Sequence, residues 1–269
     1  MPHNDPPRYT LRSGELPPNL ARALETDLVS ALGRGEIEVL FQPQFSCFDG
    51  SMVGAEALAR WQHPTLGEIG ARDLFAIAEK ALLVAPLSRK VVATALEQAA
   101  SWPEHLRLAL NITPEEIAER SFAQDFASNI GRSRIAPSRI TLEITEDLLL
   151  RDLDLAAEAL AALRQTGLQV ALDDFGAGFC NFRYLKELPL DTIKLDRSMV
   201  IGICRDERDL AVLRAIVGLA NALGLQVVAE GIETEAQRDA VIAEGCAYWQ
   251  GFLKAEPMRN EEMLRMARG

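Results

Sequence analysis

The chain has 269 residues, 48% apolar and 25% charged, enough to bury a large core and within the single-domain range of barrel folds. A formal net charge of -11 argues against bulk nucleic-acid binding, which leaves a basic footprint, and suits a site that gathers carboxylates. Cys47, Cys180, Cys204 and Cys246 form no CxxC pair, which argues against zinc-ribbon and redox motifs, and no run reaches the roughly 18 apolar residues of a membrane-spanning helix.

Residues 1–19 are polar, carry Pro2, Pro6, Pro7, Pro17 and Pro18, and lack the apolar core of a signal peptide. They read as a flexible leader or linker before one domain over 20–269, and the cysteines read as reduced thiols of a cytoplasmic protein. Leu20 to Leu32 has helical spacing and ends at Gly33-Arg34-Gly35, before a β-rich run from Ile37 to Phe45. Further strand-like runs follow at Met52–Arg60, Leu106–Ile112, Arg139–Thr145, Leu168–Leu172, Thr192–Leu195, Leu225–Ala229 and Cys246–Trp249. Between them lie amphipathic segments at Leu74–Lys80, Leu87–Ala100, Leu153–Gln165, Arg208–Leu223 and Glu235–Ala243. Strands alternating with helices imply an α/β fold with a parallel sheet, and eight strands fit a closed (β/α)8 barrel better than an open doubly wound sheet.

Polar residues interrupt these apolar strands at or near their carboxyl ends: Glu56, Asn111, Glu143, Asp173, Asp174, Lys194 and Glu230. Barrel enzymes build their sites at that rim. A carboxylate inside an apolar strand is costly to bury unless it is paired or binds a cation, so several on one rim call for a shared one. Five carboxylates, Glu56, Glu143, Asp173, Asp174 and Glu230, would be balanced by Lys194 and two divalent ions. Oxygen ligands without histidine or thiolate favour magnesium or manganese, and His3, His63 and His105 receive no metal role.

The run Glu56-Ala57-Leu58-Ala59-Arg60-Trp61-Gln62-His63-Pro64 resembles the motif of the EAL-domain cyclic di-GMP phosphodiesterases. Gln42-Pro43, Asn111-Ile112-Thr113-Pro114, Glu143-Ile144-Thr145-Glu146, Asp173-Asp174-Phe175-Gly176-Ala177-Gly178, Lys194-Leu195-Asp196, Ala229-Glu230-Gly231-Ile232-Glu233-Thr234 and Gln250-Gly251-Phe252 follow the family order. The resemblance implies a modified TIM barrel with one antiparallel strand, and hydrolysis of cyclic di-GMP to linear 5'-pGpG. It implies one metal at Glu56, Asn111, Glu143 and Asp173, and a second at Asp173, Asp174 and Glu230. Lys194, Glu230 and Gln250 would be catalytic, and Gln42, Leu58, Arg60 and Asp196 would meet the substrate, Arg60 through a phosphate. Glu146 and Glu233 would support the glycine loop and the lysine respectively, with Phe175, Gly176 and Gly178 shaping that loop.

Three departures stand out. The loop continues Phe179-Cys180-Asn181 where the family commonly has tyrosine and two serines, Ala71 stands where proline is usual, and Leu82 where glycine is usual. The loop change is expected to touch regulation, and the other two to be packing changes. The resemblance also implies a homodimer; any regulation is expected from dimerisation, a separate partner or a domain outside this chain, and the want of a long apolar run predicts no membrane insertion. The alternative is a catalytically weak EAL domain that binds cyclic di-GMP or a protein as a receptor.

Overall fold

The computed structural model describes residues 18–145, 153–178 and 182–268, so Glu146 and Phe179-Cys180-Asn181 lie outside the described residues. Eight strands close a barrel: β1 (Ile37–Ser46), β2 (Met52–His63), β4 (Arg107–Asn111), β5 (Ile140–Thr145), β6 (Gln169–Phe175), β7 (Thr192–Leu195), β8 (Gln226–Ala229) and β9 (Tyr248–Trp249). They coincide with the eight runs read from sequence. A ninth, β3 (Gly67–Ile69), extends β2 as a short antiparallel flap through Trp61↔Ile69 and His63↔Gly67.

Strand β1 is the reversed one. It pairs antiparallel with β2 from Ile37↔Trp61 to Phe45↔Met52, and antiparallel with β9 through Phe45↔Trp249 and Ser46↔Tyr248. Every other neighbouring pair around the barrel is parallel. A direct hairpin joins β1 to β2, its turn closed by Gly50 N–H donating to the Ser46 carbonyl at 3.0 Å, and such a connection can only make antiparallel neighbours.

Helices cover the outside: α1 (Pro18–Arg34), α2 (Ala71–Lys80), α3 (Val84–Ala99), α4 (Pro114–Ile117), α5 (Phe122–Arg132), α6 (Leu153–Arg164), α7 (Phe182–Glu187), α8 (Glu207–Ala222), α9 (Glu235–Ala243) and α10 (Asn260–Arg268). Helix α1 starts at Pro18, two residues inside the segment read as leader, because proline at a first helical turn forfeits no bond. Helix α5 is absent from the segments expected from sequence, although Phe122, Phe126 and Ile130 are spaced four apart and buried. No helix among the described residues is long and apolar enough to cross a membrane.

Alternation along the strands divides core from site. Leu108, Leu110, Leu142, Ile144, Val170, Leu172, Ile193, Leu195 and Val227 form one set, all buried in the apolar layer beneath the helices. Glu56, Asn111, Glu143, Asp173 and Lys194 fall on the opposite phase and point into the barrel mouth.

One of the departures acts differently from expectation. Leu82 is 89% exposed and sits at φ 57°, just past α2, where Leu83 N–H closes the helix by donating to the Ala78 carbonyl at 2.8 Å. This left-handed position explains the usual glycine, so the change strains backbone and does not alter packing. Ala71 occupies the first position of α2, where proline also fits.

Candidate active site

The site grows from strand ends brought together by register. Glu56 lies beside Ala109 on β4, Asn111 beside Glu143 on β5, and Thr145 beside Asp173 on β6. At the centre is Lys194, 1% exposed, with Nζ 2.8 Å from Glu230 Oε1, 2.9 Å from Glu143 Oε1, 3.0 Å from Asp173 Oδ1 and 3.2 Å from Glu56 Oε2. One ammonium thus serves four carboxylates. Asn111 Nδ2 donates to Glu56 Oε1 at 2.9 Å, and Gln250 Nε2 donates to both Glu56 Oε2 and Glu230 Oε1 at 2.9 Å.

Asp174 would point away if β6 kept its pleat. Instead the register slips between Leu172 and Phe175, and Asp174 takes φ 55°, so its carboxylate joins that of Asp173 on the rim. Two triads result, Glu56 with Glu143 and Asp173, and Asp173 with Asp174 and Glu230, each with oxygens within 4.8 Å of one another. Asp173 belongs to both. Gly176, at φ 102°, turns the chain just beyond, where a Cβ would press on Met199 Cγ at 2.5 Å.

Burial and mutual repulsion set the protonation of the cluster. Burial, then the charge of Glu56, pushes Glu143 well above the usual carboxylate range. Burial likewise raises Asp173 against the pull of Lys194, and raises Asp174 with help from the Asp173 charge. Glu230 is pushed up to about 8, mainly by burial and then by Asp173 and Glu56. Glu56 goes the other way: burial opposes its charge, but Lys194 and the Gln250 and Asn111 amides outweigh that and hold it below the usual range. Burial would lower Lys194, yet Asp173, Glu143, Glu230 and Glu56 together hold it well above the usual lysine value.

The donor set fits divalent cations. Glu143 Oε2 is buried without a hydrogen-bond partner, and Asp173 Oδ1 is buried with only the Lys194 ammonium beside it, at 3.0 Å. Such orphaned oxygens need a cation or another donor. All are hard oxygen ligands, the kind magnesium and manganese take.

Leu58 lines a cavity of about 620 Å³ that opens from Glu56, Asn111 and Asp174 toward Phe75 of α2. Gln42 is half-buried on β1 opposite Glu56. Asp196 accepts from Ser198 N–H at 2.9 Å and adds to the charge that raises Asp174. Arg60 lies further along β2, its Nε 3.6 Å from Glu68 of the β3 flap and its Nη1 donating to the Ala59 carbonyl at 2.9 Å. Glu233 does not reach Lys194: the turn at Gly231 carries it outward to Arg197, 2.9 Å away. Phe175 is fully buried, and its ring lies 6.3 Å from that of Phe182.

Gln44 is a site residue not foreseen from the sequence. Its Nε2 donates to Gln250 Oε1 at 3.0 Å, which fixes the Gln250 amide with its NH2 toward the carboxylates. Its place on β1, two residues after Gln42 and therefore on the same face, was the available signal.

Comparison with known proteins agrees with this architecture. The EAL domain family model matches residues 25–257. A cyclic di-GMP phosphodiesterase of Pseudomonas aeruginosa is 37% identical over 247 residues, covering 90% of this chain, while the chain spans only 42% of that relative. The cyclic di-GMP phosphodiesterase RocR of the same organism is 34% identical over 268 residues, covering 97% of this chain and 68% of its own length. Among solved structures, the PaMucR phosphodiesterase in complex with c-di-GMP superposes with a TM-score of 0.85 at 34% identity, covering 90% of this chain and all of the other. The chain belongs to the EAL domain family.

Proposed function

We propose that this chain is a cyclic di-GMP phosphodiesterase that opens its substrate to linear 5'-pGpG with two magnesium or manganese ions. The observation that carries this reading is the sharing of Asp173 between two carboxylate triads on one rim. Glu56, Asn111, Glu143 and Asp173 would hold one ion, and Asp173, Asp174 and Glu230 the other. When bound, such ions polarise a phosphoryl oxygen and lower the pKa of water.

The protein's own groups supply the rest. Lys194 keeps the carboxylates together against their repulsion and offers a fixed positive charge at the floor of the site. With Glu230 and Gln250 it would orient the attacking water, so that the new P–O bond forms as the bond to the departing 3' oxygen breaks. Leu58 and Gln42 would bound the substrate's path, Asp196 would contact it, and Arg60, released from Glu68, would bind its second phosphate. The family resemblance further supports a homodimer governed by a partner or domain outside this chain, and cysteines without a CxxC pair support a cytoplasmic one.

The test is chromatographic: purified protein with cyclic di-GMP and magnesium should yield pGpG, and a chelator should stop it. Lys194→Ala should stay folded and lose about a thousandfold in turnover, by loss of a charge fixed in a water-poor site. Binding of cyclic di-GMP without turnover, across metals and pH, would instead establish the receptor reading.

A further inference from the structure

Beside the rim cavity, a second cavity of about 680 Å³ lies between α3 and α5. Ala93 and Ala100, with the edges of the buried Val92, Leu96 and Phe126, provide an apolar floor, and Arg89, Arg132 and Arg134 stand around it. This chain has 39 acidic against 28 basic side chains, and Arg164, Arg183, Arg214 and Arg259 each meet a carboxylate. None of the three guanidinium groups of the groove has an ion-pair or hydrogen-bond partner among the described residues.

Two carboxylates also reach the lining, Glu97 and Glu116. Glu116 is already engaged, its Oε2 accepting from the Thr113 amide and hydroxyl at 3.0 Å. Glu97 leaves the three guanidiniums in excess. Guanidinium forks match the planar spacing of phosphate and carboxylate oxygens, and an apolar floor rewards an attached carbon skeleton. The groove adjoins the 620 Å³ rim cavity at Val92 but shares no other lining residue with it, and none of the rim carboxylates lines it.

We propose that this groove binds a small organic anion, with an oxyanion head on Arg89, Arg132 and Arg134 and an apolar body on the floor between them. The two sources of such a head are separated by titrating 1-naphthyl phosphate and 1-naphthoate in parallel, by calorimetry, with chelator present. At least one probe should bind at millimolar concentration or tighter. Its affinity should fall at least tenfold in the Arg89→Ala/Arg132→Ala/Arg134→Ala variant, whose exposed side chains leave the fold intact by circular dichroism.

A second variant, Ala93→Trp, keeps every charge and fills the groove from the exposed face of α3, and should abolish the same binding. Saturating cyclic di-GMP should leave it unchanged. The proposal is overturned by absence of heat with both probes, by unchanged affinity in either variant, or by displacement with cyclic di-GMP.

Discussion

A buried carboxylate is held charged only by what faces it, and Lys194 faces four of them. Because Glu230 is raised from an ordinary 4.5 to about 8, it keeps its proton in the folded chain while the unfolded chain loses one. The stability this confers is complete below pH 4.5 and is lost as pH climbs to about 8, and the raised Glu143, Asp173 and Asp174 act with the same sign. Chelated protein should therefore melt at progressively lower temperature from pH 5 to 8, and magnesium should flatten that slope. A melting temperature independent of pH under chelation would contradict the assignment. Gln44 allows a second test: Gln44→Leu frees the Gln250 amide to rotate, and kcat should fall about tenfold with KM and melting temperature little changed, on steady-state kinetics.

At the scale of elements, the strain at Leu82 has a measurable cost. Leu82→Gly should raise unfolding free energy by about 1 kcal/mol in urea, since the left-handed turn is closed and the leucine side chain is exposed. Asp174 is strained in the same way, but there Asp174→Gly should relax the backbone while magnesium binding weakens, read by calorimetry. Elements of this kind also mark what the sequence made legible. All eight barrel strands were readable, the short β7, β8 and β9 included, because apolar β-rich runs alternate with amphipathic helical segments, and polar breaks at their ends located the carboxylates. The β6 bulge was not, since a register slip depends on the neighbouring strand; neither was the outward path of Glu233, which follows from a positive φ at Gly231. The four-residue α4 and six-residue α7 were too short to show a period.

For the whole molecule, reversal of β1 follows from its hairpin with β2, a feature that family resemblance implied and periodicity could not. Closure is uneven as a result. Along β2 the first strand is zipped over its length, yet on its other side β9 contributes only Phe45↔Trp249 and Ser46↔Tyr248, helped by a backbone bridge from Phe41 to Met258. Gln250 follows directly after β9, with its amide spanning Glu56 and Glu230. The barrel therefore has a weak stave, and the group that cross-links two carboxylates is nailed to it. Amides at 247–250 should exchange with solvent ahead of those in β5 to β7, and rising urea should silence the enzyme before its fluorescence or ellipticity reports any loss of structure, so that activity becomes the most sensitive gauge of whether the barrel is closed.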